Sequence, residues 1–161
     1  MALKDSSQPP FIHRASLQVG TDLNALGQVL SWFDRFSSPS ISQRIWLQCK
    51  TALAEGFTNA VRHAHKNKSS DVIIEIEVER SPNSFEIRIV DYGSPFNLEE
   101  KLKTLPEEID LEATGGRGLK IMHSIADRLT YTRINDRQNC LLIVKYYSDE
   151  DDGCSVSKQP G

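Results

Sequence analysis

The fold of this chain is set by residues 72–91, which read VIIEIEVERSPNSFEIRIVD. Apolar and charged residues alternate with a period of two on either side of Ser81-Pro82-Asn83, a combination typical of a turn. The pattern predicts two antiparallel strands with one face on a core and the other in water. The residues predicted to face the core are Val72, Ile74, Ile76 and Val78 in the first strand and Phe85, Ile87 and Ile89 in the second.

Two helices are predicted before this hairpin. The first covers about residues 22–36 and begins at a capping residue, Thr21 or Asp22. The second covers about residues 41–65 and ends at the polar run 66–70. Apolar or small residues recur at spacings of three and four, as in a helix with one buried face. They are Leu23, Leu26, Leu30 and Phe33 in the first helix and Ile45, Cys49, Ala52, Leu53, Gly56, Ala60 and Ala64 in the second.

The remaining segments complete a small α+β domain. A strand is predicted over residues 11–19. The irregular stretch 92–117 is long for a connection in a compact domain and favours a functional loop or lid. A short helix over about 119–126 and a hairpin of residues 128–134 and 140–147, with its turn at 135–139, follow. The order predicts a two-layer sandwich with helices packed on one face of a mixed or antiparallel sheet.

Composition narrows the class of protein. The 161 residues are 39% hydrophobic and 25% charged, as in ordinary globular proteins, and the net charge of −3 gives no bulk attraction to nucleic acid. Residues 1–10 lack the apolar region of a signal peptide, and the longest aliphatic run, residues 141–144, is too short to span a bilayer. We therefore expect a cytoplasmic protein with a flexible leader at 1–10 and a disordered acidic tail at 148–161, without direct contact to membranes or nucleic acid.

Three polar features interrupt the apolar pattern. The first is a row on the second helix, where Glu55, Asn59 and His63 are four residues apart and share a face. An amide oxygen is a suitable Mg²⁺ ligand, and a carboxylate one turn away can accept a proton from a nucleophile. The spacing alone is more typical of an ordinary polar helix face, because polar pairs four residues apart are common, and His63 could equally be a core-edge histidine.

The second feature is Asp91, which has the parity of Phe85, Ile87 and Ile89 and should point toward the apolar side of the sheet. A buried carboxylate needs partners, and a purine amine could be one. Gly93 would leave room for a close approach. The alternative is a solvated aspartate in a turn at the end of the strand.

The third feature is Gly115-Gly116-Arg117-Gly118, directly before a helix. Successive backbone N–H groups and the helix N-terminus can bind an anion, and Arg117 and Lys120 would add positive charge. The sequence matches neither the dinucleotide fingerprint nor the Walker A pattern. A flexible hinge leading into the helix is the alternative interpretation.

Taken in order, the three features resemble a known family. The stretch from Glu55 to Ala64 resembles the N box of the GHKL (Bergerat-fold) ATPase superfamily. Asp91-Tyr92-Gly93 resembles its G1 box, and the residues from Gly116 to Leu119 resemble its G2 box. The Asn-Ala-Val-x-His ending, the Asp-x-Gly-x-x-Phe stretch and Gly-Gly-x-Gly-Leu are similar to those of bacterial anti-sigma factor serine/threonine protein kinases.

The resemblance implies a domain over residues 11–147 with an ATP lid at about 94–114. It implies that Glu55 is the general base, that Asn59 ligates Mg²⁺ and that Asp91, with Gly93 beside it, binds adenine. It further implies that the phosphates of ATP are held by His63, Gly116, Arg117, Gly118 and Leu119.

The resemblance also implies partners. Members of this branch bind a sigma factor, phosphorylate a STAS-domain anti-anti-sigma protein and form homodimers. Trp32, Phe36 and Trp46 are candidates for a protein-binding surface or for the core. Other superfamily members fit less well, because a sensor histidine kinase needs a dimerisation helix and the gyrase, mismatch-repair and chaperone ATPases need a further domain. The alternatives are a catalytically silent ATP-binding regulator that sequesters a protein, and a structural domain that binds no nucleotide.

Overall fold

The computed structural model describes residues 12–104 and 116–148. Its sheet has five strands in the order β1-β2-β3-β5-β4, and every neighbouring pair is antiparallel. The predicted α+β sandwich is confirmed, with the sheet antiparallel throughout. The strands are β1 His13–Gly20, β2 Ile73–Ser81, β3 Ser84–Asp91, β4 Arg128–Arg133 and β5 Asn139–Tyr146.

The central hairpin has the predicted register. Ser81 pairs with Ser84 next to the turn, and Ile76 pairs with Ile89. The apolar side chains of both strands that face the core are at most 1% exposed, as the alternation predicts. The exception among the predicted residues is Val72, which lies before β2 and is only half-buried.

Four α-helices accompany the sheet in the described ranges. Helix α2 begins after Ser42, whose hydroxyl accepts a hydrogen bond from the Ile45 N–H at 3.2 Å, a standard N-cap. A π-helical turn, Ala60–Ala64, continues α2 almost to the predicted end at residue 65. The helices are α1 Leu26–Phe33, α2 Gln43–Asn59, α3 Leu98–Thr104 and α4 Arg117–Ile125. Their apolar faces share one core with β2 and β3.

The predicted stripe of the first helix is partly wrong. Leu23 is 38% exposed, and the buried residues are Val29, Trp32, Phe33 and Phe36. These four also follow helical spacing, but the helix is α-helical only over Leu26–Phe33, with 3₁₀ turns before and after it. The same geometry places the aromatic residues in the core, where Phe33 stacks on Trp46 with ring centroids 4.7 Å apart.

The stretch 92–117 is not wholly irregular, contrary to the prediction. Helix α3 forms because Leu98 is buried on the core and Asn97 caps the first turn by accepting the Glu100 N–H at 3.2 Å. The rest of the expected lid (105–114), the expected leader (1–10) and residues 149–161 of the expected tail lie outside the described residues. Within residues 12–104 and 116–148, no helix has the length and apolar composition needed to cross a membrane.

Candidate functional site

A cavity of about 420 Å³ opens where the predicted site residues converge. Its walls come from α2 and the π turn, the end of β3, the residues around α3, the start of α4, and strands β4 and β5. Five predicted residues line it, namely Asn59, His63, Asp91, Gly116 and Leu119. The other lining residues are Gly56, Ala60, Ala64, Ile89, Phe96, Lys101, Tyr131 and Leu141. Glu55, Gly93, Arg117 and Gly118 are not among the lining residues.

Helix α2 brings Glu55 and Asn59 against the start of α4. A Cβ added to Gly118 would lie 2.6 Å from Glu55 Oε2 and 3.3 Å from Asn59 Oδ1, so a side chain at this position would displace the Glu55 carboxylate. Neither side chain makes a hydrogen bond or an ion pair with any described residue. The carboxylate and the amide oxygen are therefore both available beside the glycine-rich segment, whose residue Gly115 lies outside the described ranges.

The start of α4 has the features of an anion site. Gly116 occupies the N-cap position with φ 86°, in the left-handed region that favours glycine. No side chain of the described residues caps the helix, and its first N–H groups lie beside a cavity that Gly116 and Leu119 line. A helix N-terminus of this kind suits a phosphate. Arg117 is exposed and adds positive charge at the same end.

Asp91 lies at the other end of the cavity and is 3% exposed, as its parity predicts. Its Oδ1 accepts hydrogen bonds from the Gly93 N–H at 2.8 Å and from Asn139 Nδ2 at 2.9 Å. Its Oδ2 accepts one from the Tyr131 hydroxyl at 2.6 Å. These three donors satisfy most of the capacity of the carboxylate and allow its burial.

Gly93 fits tightly against the π turn. A Cβ at this position would lie 2.6 Å from the Ala64 carbonyl oxygen and 2.9 Å from both Ala64 Cα and Cβ. The Gly93 carbonyl accepts hydrogen bonds from Arg133 and Asn139, each at 2.9 Å. Gly93 thus joins the end of β3 to the helix and to the β4–β5 hairpin, which fixes Asp91 in place.

The buried histidine near the site is His65 and not His63. Its Nε2 accepts the Tyr92 N–H at 2.8 Å, and its Nδ1 lies 2.7 Å from Thr21 Oγ1. Because Thr21 donates its own proton to the Val72 carbonyl at 2.6 Å, Nδ1 must be the donor to Thr21. Burial lowers the pKa of His65, and the nearby Asp91 opposes this only in part. A neutral His65 therefore connects β1, β2 and the turn after Asp91.

His63 is exposed at the edge of the cavity, so the core-edge interpretation is wrong. Partial burial lowers its pKa, and the positive charges of Arg62, Lys101 and Lys66 lower it further. Lys101 lines the cavity as well, and neither side chain has a hydrogen-bond or ion-pair partner among the described residues. This cationic edge suits an anionic ligand.

Sequence reasoning missed Tyr131, Asn139 and Lys101. Asn139 begins β5 and is 1% exposed, although the sequence places it in the hairpin turn. Its parity with Leu141 and Ile143 was the available signal, because these alternating residues face the core. The interactions of Tyr131 and Lys101 depend on long-range packing that periodicity does not report.

Comparisons with known proteins identify an ATPase-domain family and related protein kinases. Residues 19–145 match the family described as histidine kinase-like ATPase domain. The serine-protein kinase RsbW of Staphylococcus aureus strain MRSA252 is 40% identical over 86 residues, which cover 50% of this chain and 54% of the relative. The RsbW of strain Newman is 38% identical over the same share of each chain. This chain therefore spans about half the length of these curated relatives.

A solved structure supports the fold. The structure of the RsbU and RsbW domains of Rv1364c from Mycobacterium tuberculosis has a TM-score of 0.55 at 12% identity, covering 83% of this chain and 32% of that one. The sequence matches confirm the resemblance to the GHKL superfamily and to its anti-sigma factor kinase branch. The chain belongs to the family of histidine kinase-like ATPase domains.

Proposed function

We propose that this protein is an ATP-dependent serine/threonine protein kinase that acts as an anti-sigma factor. It would bind a sigma factor and phosphorylate a hydroxyl of a STAS-domain partner, as a cytoplasmic homodimer. The observation that carries the proposal is the meeting of Glu55 and Asn59 with the start of α4, next to a cavity that ends at Asp91. The relatives named serine-protein kinase support the same chemistry.

In this proposal, the cavity holds ATP with its base at Asp91. The buried carboxylate would accept an N–H of the adenine amine, and Gly93 would keep the carboxylate oriented through its backbone N–H. The phosphates would extend toward Gly116, Gly118 and Leu119, where the uncapped N–H groups of α4 lie. His63 and Arg117 would contribute positive charge at the same end.

The polar groups near α4 also fit Mg²⁺. The Asn59 amide oxygen has no hydrogen-bond donor within the described ranges, and it points toward the space that the absence of a Cβ leaves at Gly118. Magnesium prefers such oxygen ligands together with phosphate oxygens, so Asn59 would hold the ion. When bound, Mg²⁺ neutralises charge on the transferring phosphoryl group.

Glu55 would act as the general base. The partner's hydroxyl oxygen forms a bond to the γ-phosphorus, the bond from this phosphorus to the bridging oxygen breaks, and ADP leaves. The hydroxyl proton passes to the Glu55 carboxylate, which has no competing donor among the described residues. The expected lid at 94–114 would exclude water from the reaction within the domain at 11–147.

A silent ATP-binding regulator is the alternative function. It would need Asp91 and the glycine-rich segment, but it would not need a carboxylate at position 55. Glu55 Oε2 lies 2.6 Å from the Cβ position of Gly118, beside the start of α4, where the phosphates are expected. This placement favours the kinase.

Phosphotransfer from labelled ATP to a purified STAS-domain protein tests the proposal. We expect label transfer with the wild type and at least a ~100-fold lower rate with Glu55→Ala, because a positioned base contributes this much or more. ATP binding should be retained in that variant. Glu75→Ala is the matched control, since Glu75 lies on β2 and its carboxylate accepts a hydrogen bond from Gln18 at 3.2 Å. Equal transfer by wild type and Glu55→Ala would exclude Glu55 as the base, and ATP binding without transfer by the wild type would favour the silent regulator.

A further inference from the structure

We propose that Tyr131 is a specificity-determining residue of the nucleotide site and makes it select a 6-aminopurine over a 6-oxopurine. Tyr131 lines the cavity from β4, and its hydroxyl is bonded to the carboxylate of Asp91. The inference rests on the proposed nucleotide site and adds a residue to it that the sequence motifs do not contain.

The first step is to count the hydrogen bonds that the Asp91 carboxylate already accepts. A carboxylate has about four acceptor positions. Oδ1 uses two of them, for the Gly93 N–H and for Asn139, and Oδ2 uses one, for Tyr131. One acceptor position of Oδ2 remains unused, and Asp91 is one of the residues that line the cavity. The carboxylate can therefore accept a single N–H from a ligand.

The second step concerns the hydroxyl itself. Tyr131 donates its only O–H proton to Asp91, so it can offer only oxygen lone pairs to a ligand. Burial and the interaction with Asp91 raise the pKa of Tyr131, which keeps the proton on the hydroxyl. Together, Asp91 Oδ2 and Tyr131 Oη form a surface made of acceptors. An exocyclic amine can donate to this surface, whereas a carbonyl oxygen at the same place has no donor to meet.

The third step concerns the shape of this end of the cavity. The ring of Phe96 lies 4.5 Å from the ring of Tyr131 between centroids, at an angle of 42°. Both rings line the cavity, and Phe96 is 44% exposed and belongs to the segment that precedes α3. They form an aromatic wall that a flat base can contact. The hydroxyl of Tyr131 thus lies where the edge of such a base would meet Asp91.

The test compares the dissociation constants of ATP and of inosine triphosphate, which carries a carbonyl in place of the 6-amino group. We expect the wild type to prefer ATP and Tyr131→Phe to lose about 3- to 10-fold of that preference, the range of one hydrogen bond between uncharged groups. Tyr146→Phe is the matched control, because Tyr146 is 57% exposed on β5. This variant should keep the wild-type preference for ATP. Thermal unfolding of each variant reports its stability separately.

A second variant keeps the test decisive if Tyr131→Phe does not fold. The amide of Tyr131→Gln can donate to a 6-carbonyl group, so this variant should also narrow the preference. An unchanged ratio of the two dissociation constants in the variants that fold overturns the inference, whether or not stability falls, because it shows that Tyr131 only fills space and bonds Asp91. If the wild type binds neither nucleotide, the proposed function fails as well. If the wild type binds ATP and the variants leave the ratio of the two dissociation constants unchanged, only the inference about Tyr131 fails.

Discussion

The close fit of Gly93 against the π turn allows a quantitative test of the site geometry. In Gly93→Ala, the new Cβ would lie 2.6 Å from the Ala64 carbonyl oxygen, where ordinary van der Waals contact begins at 3.4 Å. The backbone of Gly93 lies outside the left-handed region, so the cost is steric and not conformational. Overpacking of this kind costs about 1–3 kcal/mol. We expect Gly93→Ala to lower the free energy of unfolding by about 2–3 kcal/mol, because the opposing Ala64 atoms belong to the backbone or to a Cβ and cannot rotate away.

Urea unfolding followed by tryptophan fluorescence measures this change directly, since Trp32 is buried in the core and Trp46 packs against it. For a domain of this size, the expected loss corresponds to a melting temperature lower by about 5–10 °C. Gly27→Ala is the matched control. A Cβ at Gly27 meets nothing within 4 Å, so helix α1 should gain up to about 1 kcal/mol. A Gly93→Ala protein within ~0.5 kcal/mol of the wild type would refute the packing described here.

Two further predictions concern the charged groups of the site. Replacing Lys101 by methionine should weaken ATP binding about 3- to 10-fold, because Lys101 lies at the cationic edge of the cavity. Adenosine binding should not change in this variant. The control Lys103→Met should change the binding of neither ligand. An equal loss for adenosine, measured by calorimetry, would contradict the phosphate contact. The second prediction follows from the lowered pKa of His65. Below about pH 6.5, the unfolded chain binds a proton at this histidine that the folded chain does not bind. The free energy of unfolding should therefore fall by up to about 1.4 kcal/mol for each pH unit below this value. Urea titrations at several pH values measure how steeply the free energy of unfolding changes with pH. This pH dependence should be smaller in His65→Gln and unchanged in His123→Gln. An equal pH dependence in the wild type and both variants would exclude His65 as its source.

Local periodicity was sufficient to predict the central sheet and one end of the site. The alternation of β2 and β3 comes from residues that are adjacent in sequence, so Asp91 could be assigned to the buried face from Ile87 and Ile89 alone. Helical spacing likewise placed Glu55 and Asn59 on one face of α2. That both would lie against Gly118 depends on how α2 packs on α4, and only the motif resemblance suggested it.

The burial of His65 was missed because it lies where regular helical geometry ends. In a regular α-helix, His65 would point about 180° away from Gly56 and into water, since each residue turns about 100°. The chain instead passes through a π turn and leaves helical geometry at His65, which has φ −100° and ψ 20°, so the side chain is buried. Helix α3 was missed for a related reason, because seven residues are too few for a clear periodic signal.

The π turn also determines which genetic changes this part of the chain can tolerate. Its hydrogen bond joins the His65 N–H to the Ala60 carbonyl five residues earlier, at 2.8 Å. Removing one residue between them would restore the regular four-residue spacing and rotate the following side chain by about 100°. Tyr92 would then lose its acceptor, and the strand carrying Asp91 would lose an anchor. Conservative replacements at positions 61 and 62 should therefore persist in a population of variants, whereas in-frame deletions there should be eliminated.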